Sequence, residues 1–135
     1  MRSGSLTAVA SLDAIGVVCA DLAASVRFYR LLGLDVPESA EDHVEATTSS
    51  GLRVMLDKLE LMRQIDPDWV TPKGRPIALA FRCASPNDVD ETYAKVTKAG
   101  FRGKTPPFDA FWGQRYATLL DPDGNAADLF ADQPR

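Results

Sequence analysis

Apolar residues run from Ala14 to Cys19, interrupted only by Gly16, and then change to a helical spacing at Leu22, Val26, Tyr29 and Leu32. The continuous run predicts a buried strand, and the change of period after Asp21 predicts a helix with that aspartate as its N-cap. Phe28 and Leu31 widen the apolar stripe, and Gly33 is placed to end the helix. Two short strands are expected next, His43 to Thr48 and Leu52 to Asp57, turning through Ser49, Ser50 and Gly51.

The same order then returns. Ile77 to Cys83 reads as a strand, and Ser85 caps a helix that has Pro86 at its first position, Asp88 in its first turn, and Val89, Tyr93 and Val96 on its buried side. Gly100 follows its end, and a short strand is expected around Phe101 to Lys104. An offset of 64 residues carries Cys19 to Cys83, and also Ala14 to Ala78, Ala20 to Ala84 and Tyr29 to Tyr93. The shared register and the shared order of elements point to an internal duplication. The chain closes with WGQRYATLLDPDGNAADLFA, Trp112 to Ala131, in which a Pro-Asp-Gly-Asn turn between two apolar runs predicts a hairpin.

These elements predict an α+β protein of two βαβββ modules whose strands form a shared curved mixed sheet, with helices packed outside it. The expected boundaries are one domain over 1–135, with a first module at 11–62, a connector at 63–75 and a second module at 76–132. The connector carries prolines and a glycine, and neither half is large enough to be stable alone.

Composition narrows the function classes. The formal net charge is -4 with acids and bases interspersed, so no basic stripe is available to neutralise phosphates, and nucleic acid is not expected as a partner. No apolar run is long enough to span a bilayer, and Met1 to Ala10 lacks the sustained apolar block of a secretory signal. The two cysteines, Cys19 and Cys83, lie in apolar runs with neither zinc spacing nor a redox pair, and are read as small buried hydrophobes in a reducing cytoplasm.

The segment Leu12 to Leu34, with Asp21, Ser25, Phe28-Tyr29 and Leu32-Gly33-Leu34, resembles the opening module of the vicinal oxygen chelate superfamily, and the DPDGN turn resembles its closing module. That superfamily includes glyoxalases, extradiol dioxygenases, fosfomycin-modifying enzymes and bleomycin-resistance proteins. In its enzymes, metal ligands come from the first and last strands of each module. Carried onto this chain, the resemblance puts those positions at Ala14, near Met55, at Ala78 and at Asp128. Three of these side chains cannot hold a divalent cation, and the expectation is therefore no metal and no other cofactor. WGQRYA with DPDGN and DLFA, and LDKLELMRQIDPDW from Leu56 to Trp69, resemble the mitomycin-binding and bleomycin-resistance type of member. This implies a non-catalytic homodimer that sequesters an aromatic antibiotic in a crevice between subunits.

Phe108, Phe111, Trp112 and Tyr116 gather four aromatic rings before and within one strand, suited to stacking on a planar ligand. Strand alternation allows only some of them to face it, with Tyr116 and Thr118 on one side and Ala117 and Leu119 on the other. Trp69 in the connector joins the expected ligand-binding set, as does Asp57 at a strand end. Asp128 interrupts an apolar strand and needs a partner, for which Arg115, a backbone donor or a ligand is available. Asp121, Asp123 and Gly124 are read as turn residues. His43, the only histidine, is read as a partly exposed strand residue or a polar contact at the pocket rim. Two alternatives stay open: an atypical enzyme of the superfamily using Asp128 with His43 or Glu45, and a binding module in antibiotic biosynthesis.

Overall fold

A computed structural model describes residues 10–134. The first half contains β1 (Ala14–Cys19), α1 (Leu22–Leu31), β2 (His43–Thr47) and β3 (Arg53–Lys58), followed by a short helix, α2 (Leu59–Ile65). The second half contains β4 (Ala78–Arg82), α3 (Pro86–Lys98), β5 (Arg102–Ala110), β6 (Gln114–Leu120) and β7 (Ala126–Asp132). The strands form two hydrogen-bonded sheets, in the orders β1-β3-β2 and β4-β7-β6-β5. The α+β architecture is the expected one. Two details differ: there are two sheets rather than one, and the first module has three strands where the second has four.

The helix ends follow local chemistry. Asp21 accepts a hydrogen bond from Ala24 N at 3.1 Å, and Ser85 accepts one from Asp88 N at 3.2 Å, so each cap satisfies an otherwise orphaned amide. Gly33 and Gly100 end the long helices with φ of 94° and 101°, where a Cβ would be strained.

The fourth strand of the second sheet is much longer than the four residues expected from Phe101 to Lys104. Pro106 and Pro107 break the sequence pattern but not the strand, because β5 is an edge strand and its pairing with β6 shifts register on both sides of Thr105. The other unexpected element, α2, buries none of its residues and so leaves no clear apolar stripe in the sequence. It occupies the end of the first module and the start of the expected connector.

Each sheet places one face against a helix. Val17, Cys19, Val54 and Leu56 pack in the same core as Phe28 and Tyr29 of α1, while Ala117, Leu119, Ala127 and Leu129 pack with Val89 and Val96 of α3. The two halves share this core. Phe28 meets Phe101 edge-on at 5.3 Å, and Tyr29 lies 6.4 Å from Phe81. The duplication is also visible in the strand register, since Gly16 is paired with Met55 and Ala80, 64 residues later, with Asp128. Among the described residues, no helix is long and apolar enough to cross a membrane.

Candidate functional site

Strand alternation leaves each sheet with a second face turned away from the helices. On the second sheet this face carries Phe108 of β5, Tyr116 and Thr118 of β6, and Asp128 of β7, in adjacent register positions. Trp112, in the β5–β6 turn, completes an aromatic cluster. Its ring lies edge-on 5.4 Å from Tyr116, 6.2 Å from Phe108 and 5.0 Å from Phe111. Phe108 and Tyr116 are themselves 6.3 Å apart. These spacings suit quadrupole-favoured aromatic pairs, so the platform is braced by its own rings.

The platform is open. Trp112 is 44% exposed and Phe111 91%, at the tip of a hairpin whose strand β6 is packed on the core while the edge strand β5 is largely exposed. Trp112 Nε1 donates to Gln114 Oε1 at 2.8 Å, and Gln114 donates to Asp132 at 3.0 Å, which fixes the orientation of the indole.

Asp128 sits beside the rings and takes two hydroxyl donors, Tyr116 Oη at 2.5 Å and Thr118 Oγ1 at 2.9 Å. Its carboxylate is therefore partnered across the β6–β7 ladder, not by Arg115. Burial, reinforced by the hydrogen bond to Asp128, pushes the Tyr116 phenol up to about 12. Arg115 lies on the opposite, helix-facing side of β6. Its guanidinium forks onto Asp90 of α3 at 2.9 and 3.2 Å and reaches Asp109 at 3.0 Å. Arg115 thus fastens the sheet to its helix and is not brought to the aromatic face.

The open face of the first sheet carries a different chemistry. His43 is held between Asp57, on its Nδ1, and Glu45, 2.7 Å from its Nε2. Arg53 bridges Glu45 at 2.5 Å and Asp13 at 2.7 Å. The hydrogen bonds to Glu45 and then Asp57 raise the imidazole above its ordinary range, and Arg53 and His43 hold Glu45 below its own. Asp57, expected in the ligand-binding set, is therefore a largely buried ion-pair partner of His43 on the first sheet, whereas the ring cluster lies on the second. The sequence signal was available: His43 and Asp57 are placed symmetrically about the Ser49–Gly51 turn, so they are cross-strand neighbours.

Trp69 does not join the hairpin cluster. It lines a separate pocket of about 330 Å³, together with Ile15 to Val18 of β1, Leu59, Ile77 and Leu79.

The four mapped ligand positions are divided between the two sheets. Ala14 and Met55 share the open face of the first sheet, while Ala78 and Asp128 share that of the second. Two alanines and a thioether offer no donor to a hard divalent cation, and both oxygens of Asp128 already accept hydroxyls. These residues do not fit such a centre. Burial raises the Cys19 thiol to about 11 and moves Cys83 upward, and both are free thiols, consistent with small core residues.

A family model described as the Glyoxalase/Bleomycin resistance protein/Dioxygenase superfamily matches residues 11–129. No curated protein matches the sequence. Among solved structures, a glyoxalase/bleomycin resistance protein/dioxygenase from Nocardioides is 24% identical, covering 96% of this chain and 88% of that one, with a TM-score of 0.74. A glyoxalase-related enzyme from Fulvimarina pelagi is 20% identical over 90% of this chain and 88% of its own, with a TM-score of 0.80. A protein from Agrobacterium tumefaciens is 26% identical over 93% of this chain and 100% of its own, with a TM-score of 0.72. The match over most of the chain and the paired strand–helix–strand modules agree: the chain belongs to the glyoxalase/bleomycin resistance protein/dioxygenase superfamily.

Proposed function

We propose that the protein binds a planar aromatic small molecule, of the mitomycin or bleomycin kind, and sequesters it in the cytoplasm without altering it. The observation that carries this reading is the exposed ring cluster of Trp112, Phe108 and Tyr116 beside the hydroxyl-bonded Asp128. A planar ligand stacks on such rings at little entropic cost, because the indole is already held by Gln114. One open platform covers only one side of a ligand. A second copy of the chain would supply the other wall, and its His43–Asp57 face offers polar contacts complementary to the rings, so a homodimer with two equivalent sites is the proposed assembly. Protection by such a protein is stoichiometric.

An atypical enzyme of the superfamily would have to use His43 or Asp128. Both ring nitrogens of His43 face carboxylates, so the favoured imidazole carries a proton on each nitrogen and has no lone pair to act as a base. The test is a titration of the purified protein with mitomycin- and bleomycin-type drugs, followed by Trp fluorescence and by recovery of the drug. Saturable quenching, weakened at least about tenfold by Trp112→Ala with the drug recovered intact, is expected. Recovery of a chemically changed drug, or quenching that Trp112→Ala leaves untouched, would overturn the reading.

A further inference from the structure

The pocket that contains Trp69 is separate from the aromatic platform, and none of the platform residues lines it. Two of its walls are β1 and the β4 region, the outermost strands of the two sheets, and a third is the connector from Trp69 to Pro76. A volume of about 330 Å³ falls within the range of small-molecule sites and is suited to a molecule of about two fused rings. The lining is mainly apolar, with Val18, Leu79 and Pro72 typical of it.

Polar groups are few. Asp123 contributes a carboxylate whose Oδ1 accepts from Ala20 N at 2.9 Å, and Asn125 lies near it in the same turn. Trp69 Nε1 is the exceptional group. It is buried, and it has no hydrogen-bond partner among the described residues. A buried indole N–H without an acceptor is costly, and native structures provide one or use the group to hold something. An indole nitrogen is a donor only, so whatever meets it must present an acceptor.

We propose that this pocket is a second binding site, for a neutral, flat, mostly apolar molecule of about two rings whose carbonyl oxygen accepts a hydrogen bond from Trp69 Nε1 once the indole turns that nitrogen toward the ligand. A donor on the same ligand finds the carboxylate of Asp123 or the side chain of Asn125. The site lies within one chain and does not depend on the aromatic platform or on a second copy.

The chain has two tryptophans, so its indole N–H groups give two resolvable resonances, assigned with Trp112→Phe. The probes are dihydroquinolin-2-one, a bicyclic lactam, and tetrahydroquinoline, which keeps the size and the N–H but lacks the carbonyl. The lactam is expected to move the Trp69 indole proton saturably downfield in the unaltered full-length protein. It should bind about tenfold more tightly than tetrahydroquinoline, the difference that one hydrogen bond to a buried donor provides. The response should persist in Trp112→Ala, which disables the platform and so separates this site from the proposed drug site. A Trp69 resonance that does not move, equal binding of the two probes, or a response lost with Trp112 would each overturn the proposal. The same is true if the Trp69 resonance shifts only with protein concentration, because the occupant would then be a second copy.

Discussion

Tyr29 Oη donates a 2.7 Å hydrogen bond to Asp121 Oδ2, tying α1 of the first module to the first residue of the closing turn, 92 positions along the chain. Asp121 is 1% exposed and accepts three further hydrogen bonds, from Asp123 N at 2.9 Å, Asn125 N at 2.8 Å and Asn125 Nδ2 at 2.9 Å. The DPDGN sequence is thus more than a tight turn: its buried carboxylate organises the loop and joins the two modules. Tyr29→Phe removes one donor and leaves the carboxylate buried, and is expected to cost about 1–3 kcal/mol. Asp121→Ala, which orphans several donors at once, should cost more. Urea unfolding of both variants measures this, and a Tyr29→Phe protein as stable as the parent would show that the link carries no stability.

The pH dependence of the first sheet rests on His43. Its pKa is raised above 6.5 by hydrogen bonds to Glu45 and Asp57. A group whose folded value exceeds its unfolded one contributes stability that is fully present below the unfolded value and lost as pH rises through the folded one. Glu45 has the opposite sign: its pKa is lowered from 4.5, so its contribution is present above that value and lost on acidification. The network is therefore expected to be strongest between these limits, and unfolding midpoints should decline above pH 6.5 more steeply in the parent than in His43→Gln. With one histidine in the chain, a proton NMR titration reads the imidazole directly. A midpoint above 6.5 is expected, lowered in both Glu45→Gln and Asp57→Asn, with the larger drop in the first. A midpoint at or below 6.5 in the parent contradicts the charged network.

Features determined by neighbours in sequence were readable before the fold. Asp21 and Ser85 cap amides three residues away, and Gly33 and Gly100 terminate helices they directly follow. The link between Tyr29 and Asp121 was not readable, because nothing local distinguishes a turn aspartate that also closes an interface. Two prolines hid the length of β5, since their cost in a strand depends on whether it lies at an edge, which is a tertiary fact. Arg115 is different. Alternation alone sets it on the face opposite Tyr116 and Asp128, which removes Arg115 from the three candidate partners of that carboxylate. The four hairpin aromatics were found because they are close in sequence, whereas the orphaned nitrogen of Trp69 required the packed connector to be seen.

Asp128 should control the ionisation of Tyr116. Burial is the main reason the phenol titrates near 12, and its hydrogen bond to Asp128 is the second. Asp128→Asn removes the negative charge but not the burial, so the midpoint is expected to fall while remaining above the ordinary value of 10. Ultraviolet titration of the parent and of Asp128→Asn, each with and without Tyr116→Phe to isolate this tyrosine from the other two, measures the shift. An unchanged midpoint would mean that the Tyr116–Asp128 contact is not held in solution.

Gly103 lets the edge strand β5 lie close against α3. A Cβ at this position would stand 1.9 Å from Tyr93 Oη and 2.6 Å from its Cζ, closer than real atoms approach. Gly103→Ala must therefore displace the phenol ring or lift the strand, and is expected to cost about 1–3 kcal/mol as an overpacking substitution. The steric cause makes the cost conditional. In a Tyr93→Leu background the colliding ring is gone, and Gly103→Ala should cost much less there than in the parent. The double-mutant cycle separates this explanation from a loss of backbone freedom, which would be felt equally in both backgrounds. Equal costs by urea unfolding, with or without Tyr93, would rule out the close approach as the reason for glycine.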